Sequence, residues 1–209
     1  MKKLKQTGKD RTDGENAEPR PMRADGQRKM SALLKAAMKV FAKSGVDAPV
    51  REIAEAAGVG LGTVYRHFPQ RSDLIAAVFQ SQVDACADAA SVIASQHPPR
   101  EALGLWMHRY VDFVGTKRGL AAALHSGDPA YSNLPKYFDK RLQPALRILL
   151  DEAVAAEAIR PGIEAKELLG AVGTLCCQGP HMELDVARRM VDLLIDGMRY
   201  GAAGKNKAR

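Results

Sequence analysis

Cysteine is scarce in this chain. Three residues in 209 (Cys86, Cys176 and Cys177) make an odd count, at spacings that build neither a disulfide framework nor a metal knuckle. A reducing cytoplasm is the compartment that fits. Aromatic residues are few, 5% of the chain with a single Trp. Long apolar runs are missing as well: the longest stretch free of Asp, Glu, Lys and Arg is residues 168–182, which contains Gly170, Gly173, Gly179 and Pro180. It is too short to cross a hydrocarbon layer of roughly 30 Å. The basic opening residues 1–10 are followed by no apolar segment, so no secretory signal is expected. The five histidines are His67, His97, His108, His125 and His181, none within four positions of another, and HExxH, zinc-knuckle and P-loop patterns are absent. No metal and no cofactor are expected. Nor is there an alternating segment of strand length or a repeat of 20–50 residues, which leaves an all-α chain of about nine helices.

What the sequence does have is positive charge, unevenly placed. Its formal net charge is +7. Residues 1–73 hold 15 basic and 9 acidic side chains, residues 74–200 hold 13 and 15, and the tail 201–209 adds three basic ones. A basic small domain ahead of a slightly acidic larger one suggests a polyanion partner for the first alone; a solvated surface with charged ends would read the same way.

The chain divides into four parts. Residues 1–24, with Leu4, Ala17, Met22 and Ala24 as the only apolar side chains after Met1, read as a disordered basic arm, either tracking a DNA groove or idle. Residues 25–71 form a small helical domain, 72–200 a larger one, and 201–209 a basic tail. In the first domain, Met30, Leu33, Leu34, Ala37, Met38 and Phe41 fall at helical spacing over residues 25–44, while Lys35, Lys39 and Lys43 repeat every four residues on the other face. Val50, Ile53, Ala54 and Ala57 mark a second helix that Gly58 ends as a left-handed cap. A third, 61–68, starts two or three residues later and Pro69 keeps it from continuing. Two short helices across a glycine-containing turn are a helix-turn-helix.

Such a unit reads DNA because the major groove, ~12 Å wide, admits one helix that keeps an apolar face for its own domain and a small or polar face outward. On 61–68, Val64 and Phe68 face inward; Gly62, Thr63, Arg66 and His67 project outward, and Gly60 and Gly62 permit close backbone approach. Arg66 is placed to fork onto a guanine, Thr63 to meet a phosphate or a thymine methyl. Arg71 and Arg51 read as phosphate anchors, with Lys35 and Lys39 adding non-specific attraction. As a nucleotide loop the segment fails: the third glycine of GxGxxG falls on Thr63 and no strand precedes it.

The run Ile53-Ala54, Ala57-Gly58-Val59, Gly62-Thr63, Tyr65, His67-Phe68 and Arg71, behind a helix with Phe41 and Gly45, resembles the TetR family of bacterial transcriptional regulators over about residues 25–80. The resemblance implies a three-helix DNA-binding domain, an all-helical ligand-binding domain, a homodimer and, by default, a repressor. It also implies operator contacts for Arg51, Leu61, Gly62, Thr63, Tyr65, His67 and Arg71. The chain departs from the family pattern at Pro49, where Ser or Thr is common, and in having few polar residues around Gly60-Leu61. Leu61 either meets a thymine methyl or packs.

In the second domain, helices are expected over 72–95, 101–117, 120–124, 137–157 (kinked at Pro144), 165–178 and 186–200. On the last, Met190, Val191, Leu193, Leu194, Ile195 and Met198 fill an arc of about 200°, wider than one core needs. Beside it, Leu168, Val172 and Leu175 border a stripe of Gly170, Gly173 and Cys177. A two-fold four-helix interface through Val172, Cys176, Met190, Leu193, Leu194, Gly197 and Met198 explains both, against the alternative of burial inside one large monomer. Two copies would then read palindromic half-sites ~34 Å apart, with the helix that begins at Ser72 as the lever between DNA and ligand. Pocket candidates are Trp106, Tyr110, Phe113, His125, Tyr131 and Tyr137, whose alternative is plain core packing. Cys176-Cys177 reads as packing, or as a redox sensor. The competing reading from another class is an all-α enzyme or small-molecule binding protein without DNA function; steep salt dependence of duplex binding separates the two.

Overall fold

The computed structural model describes residues 20–116, 126–176 and 184–199; the expected helix 120–124, His125 and Cys177 lie outside them. Among the described residues there are eight α-helices, one 3₁₀ turn and no strand. These are α1 Arg20–Ser44, α2 Val50–Ala57, α3 Leu61–His67, α4 Arg71–Gln96, α5 Pro99–Thr116, the 3₁₀ turn Pro129–Tyr131, α6 Leu134–Ala155, α7 Ala165–Cys176 and α8 Leu184–Met198.

The all-α expectation holds, with shifted boundaries. The most instructive shift is at the start: α1 begins at Arg20, so residues 20–24 belong to a helix and not to an extended arm. Pro21 falls in the first turn, where the missing N–H has no intrahelical partner to lose, and the arginines, methionine and alanine that follow are good helix formers. The helices expected to reach 178 and 200 are given only to Cys176 and Met198. α6 runs continuously past Pro144.

α1 packs on α2 and on α4, and α2 packs on α3. Leu33, Phe41, Ile53, Val64 and Leu74, each at most 2% exposed, form the centre of this head. The head and the larger domain share α4, whose backbone starts from a capping box: Gln70 N donates to Asp73 Oδ2 at 2.9 Å, and the Gln70 side chain accepts from the Asp73 backbone. That arrangement satisfies two of the groups a helix start leaves orphaned.

In the larger domain, α4 packs on α5 and α6, and α5 also touches α6, α7 and α8. α5 is the central helix: Ala102, Leu103, Trp106, Met107 and Val111 are fully buried. Its polar side chains find protein partners. Trp106 Nε1 donates to the Cys86 carbonyl at 2.9 Å and the Tyr110 hydroxyl to the Leu169 carbonyl at 3.1 Å. Along the edge facing α8, Arg100 pairs with Asp196 at 2.6 Å, His108 with Asp192 at 2.6 Å, and Asp112 with Arg188. The partners lie four residues apart on α8 and eight and four apart on α5, in opposite order along the two helices, so this is an antiparallel ladder. Asp192 and Asp196 form two of its rungs. Each rung remains at least a third exposed, so water screens it and its contribution to stability is small.

Candidate nucleic-acid interface

The turn between α2 and α3 is built by backbone geometry. Gly58 sits at φ +66°, ψ 30°, a left-handed conformation that only glycine adopts without strain. Its N–H donates to the Glu55 carbonyl at 3.1 Å, and Val59 N–H reaches the Ala54 carbonyl at 3.0 Å. The pair closes α2 with a Schellman motif, and Val59 packs back on the core as that motif requires. The chain then extends through Gly60 at φ −69°, ψ 142°, and Thr63 N–H donates to the Gly60 carbonyl at 2.9 Å to open α3. α3 stops where Phe68 N–H bonds the Val64 carbonyl, one residue before Pro69.

α3 has one buried residue, Val64, at 1% exposure. Gly62, Arg66 and His67 are exposed and Thr63 is half-buried. Leu61 is 37% exposed and Tyr65 51%. At about 100° per residue these fall into three i, i+4 pairs. Gly62 and Arg66 lie opposite Val64; Leu61 and Tyr65 form one shoulder, Thr63 and His67 the other. Side chains added at Gly60 and Gly62 would meet almost nothing: at Gly62 no heavy atom lies within 4 Å, and at Gly60 only Thr63 Oγ1, at 3.9 Å. The protein's own packing therefore does not demand either glycine.

Arg51 is exposed in the first turn of α2, and Lys35 and Lys39 are exposed on α1. Arg71 is different. It is half-buried, and its Nη1 donates to the Val46 carbonyl and, at 2.9 Å, to the Ala48 carbonyl. This guanidinium nitrogen therefore holds the turn that leads into α2. The 3₁₀ turn packs on α4 beside it. There Tyr131 is buried, and desolvation is the main reason its phenol ionises above the usual range, with Asp128 adding to the effect and Arg71 opposing it.

The pocket candidates separate into two groups. Trp106 and Tyr110 stack with centroids 5.9 Å apart and planes 4° apart, and Tyr110 and Phe113 follow at 6.1 Å, so these three form one column along α5. Phe138, absent from the sequence candidates, closes on the column 6.2 Å from both Tyr110 and Phe113. Tyr131 and Tyr137 have other partners. The Tyr137 hydroxyl donates to Asp84, 2.7 Å from Oδ1, and Arg141 joins Asp84 to Asp88 at 2.6 and 2.7 Å. Nothing in the sequence signals this α4–α6 clasp beyond the presence of the charges.

On the face proposed for self-association, Met190 is 37% exposed and Leu193 62%; Gly197 is exposed and Leu194 half-buried. Val172, Cys176 and Met198, at 0, 1 and 4% exposure, are corrected: they belong to the protomer's own core and present nothing to a partner. α7 and α8 pack against each other and against α5, and this intramolecular contact consumes one side of the wide apolar arc. No described helix is long and apolar enough to cross a membrane.

Residues 33–78 match the model of bacterial regulatory proteins of the tetR family, and residues 98–200 that of the SbtR-like transcriptional-regulator C-terminal domain. A TetR transcriptional regulator from Streptomyces coelicolor is 35% identical with a TM-score of 0.70, over 80% of this chain and 97% of that one. A TetR transcription regulatory protein from Mycobacterium vanbaalenii is 31% identical with a TM-score of 0.66, over 86% and 99%. With an HTH-type transcriptional regulator of Staphylococcus aureus (strain USA300), identity is 38% over 64 residues, and the chain spans only 35% of that protein's length. With a helix-turn-helix whose outer ridge is bare, an all-helical second domain behind it, and full-length relatives above 30% identity, the chain belongs to the TetR family of bacterial transcriptional regulators.

Proposed function

We propose that the chain is a ligand-responsive repressor that binds a palindromic operator as a homodimer through α3 and is released by a small molecule held in the larger domain. The observation that carries the DNA reading is the ridge itself. Two glycines that the fold does not need stand at the start of a helix whose other exposed residues are Leu61, Tyr65, Arg66 and His67. A glycine inside a helix costs about 0.5–1 kcal/mol relative to alanine, so its benefit lies outside the protein, where a groove wall comes close.

Arg51, Lys35 and Lys39 are free to add phosphate contacts, while Arg71 acts by holding the turn before α2. Met190, Leu193, Leu194 and Gly197 support the homodimer: an apolar strip of that kind on an otherwise charged helix fits a two-fold copy of itself. For the effector, the candidate lining is the buried aromatic column Trp106–Tyr110–Phe113, whose indole N–H and Tyr110 hydroxyl already bond protein carbonyls. An apolar or aromatic molecule suits that lining.

The test is binding of the full-length protein to duplexes selected from a random library, followed by footprinting and a salt titration. Two protected half-sites about one helical turn apart, and affinity that falls steeply with salt, are expected. Salt-independent or undetectable duplex binding would favour the small-molecule binding or enzymatic alternative.

A further inference from the structure

The beginning of α3 presents a single side chain to its surroundings. Leu61 stands between Gly60 and Gly62, neither of which has a Cβ, and 37% of it is exposed. The core draws in Val59 before it and Phe68 after it, but not Leu61. Its i+4 neighbour on the same shoulder is Tyr65, also exposed. More than a third of its surface is thus left for a partner to cover. An isobutyl group is held out at the part of the ridge where the bare glycines let a groove floor come nearest.

A major-groove floor is almost wholly polar. N7, O6, O4 and the exocyclic amines line it, and the thymine C5-methyl is the apolar feature among the four bases. An isobutyl group pressed against guanine, cytosine or adenine edges strips water from donors and acceptors and returns no hydrogen bond. Against a thymine methyl it buries two apolar surfaces and strands nothing. We infer that Leu61 is a specificity residue that reads one thymine methyl in each half-site, selecting an A·T pair there, while Arg66 reads a base of its own from the crest. This inference rests on the proposed operator binding by α3. The surface is continuous with the helix-turn-helix ridge, and the occupant it requires is a methyl group on the DNA.

The experiment replaces each thymine of the selected operator, one at a time, by deoxyuridine, which removes the methyl and leaves every hydrogen-bonding group in place. Affinities of the full-length wild type, Leu61→Ala and Leu61→Met are compared by fluorescence anisotropy. In the wild type one thymine per half-site is expected to show about a fourfold loss on substitution, the effect of one buried methyl. That loss should vanish in Leu61→Ala and persist in Leu61→Met, while any uracil effects elsewhere stay unchanged. Specific protection with no uracil-sensitive thymine, or with sensitivities identical in wild type and Leu61→Ala, overturns the inference and leaves the operator reading standing. Absence of specific protection overturns both.

Discussion

The guanidinium of Arg71, in the first turn of α4, lies 2.9 Å from the carbonyl oxygen of Ala48, just ahead of α2. This bond, with its companion to Val46, links the shared long helix to the turn that aims the helix-turn-helix. Removing the side chain in Arg71→Ala leaves two half-buried carbonyls short of a donor and should destabilise the protein by about 1–3 kcal/mol in urea titrations. DNA affinity should fall with it, but the slope of log affinity against log salt should stay as in the wild type. A slope lower by about one would identify Arg71 as a phosphate contact instead.

Arg66 has no such internal duty. Arg66→Ala should lower the preference for the selected operator over a random duplex by ~1–3 kcal/mol per half-site, with only a small loss on the random duplex. Equal losses on both would make Arg66 a non-specific anchor.

Gly62→Ala places a methyl in open space. Folding stability should rise by about 0.5–1 kcal/mol, because alanine is the better helix former. Operator affinity should drop at the same time, since the methyl occupies the gap that the groove wall fills. Unchanged affinity would show that the bare backbone has no part in binding.

Leu193 is the most exposed large apolar side chain in the described chain, at 62%. Leu193→Glu should leave the protomer folded, judged by circular dichroism, and shift its sedimentation to that of a monomer. A dimer that survives this change places self-association elsewhere.

Tyr137 loses solvent and donates to Asp84, and both effects hold its phenol above the usual ionisation range, as burial does for Tyr131. A raised folded value means the native state keeps these protons where the unfolded chain has released them. Stability is therefore full below about pH 10 and falls as pH rises through the folded values. Tyr137→Phe should flatten that alkaline decline in urea unfolding measured from about pH 9 upward; an identical decline in both proteins would remove Tyr137 from the account.

The head was legible because its signals are local. Apolar spacing, Gly58 and Pro69 each act on their own turn of chain, and each appears where the sequence put it. The early start of α1 was legible in principle, through Pro21, but the polar composition of residues 1–24 outweighed it. The clasp of Asp84, Tyr137 and Arg141 and the ladder between α5 and α8 were not legible. They join residues 53 to 96 positions apart, and no periodicity within one helix states which neighbour it will meet or in what register. Arg71 is a different case: a cation at a helix start suits a phosphate and a carbonyl pair equally well, and its bonds to Val46 and Ala48 appear only in the fold. Cys176 and Met198 show the limit of arc arguments, since a wide apolar face reports two partners without saying which residues serve each.

α4 is one unbroken rod of 26 residues, about 39 Å long at 1.5 Å per residue. At one end it holds Arg71 and the recognition unit, and further along it is fastened to α6 through Asp84 and Asp88. Pivoting such a rod by about 5° swings its far tip through roughly 3.4 Å, the rise of one base-pair step. On the proposed function, a molecule that shifts the fastening by the width of a single atom would have enough mechanical gain to take the two ridges of a dimer out of phase with the double helix.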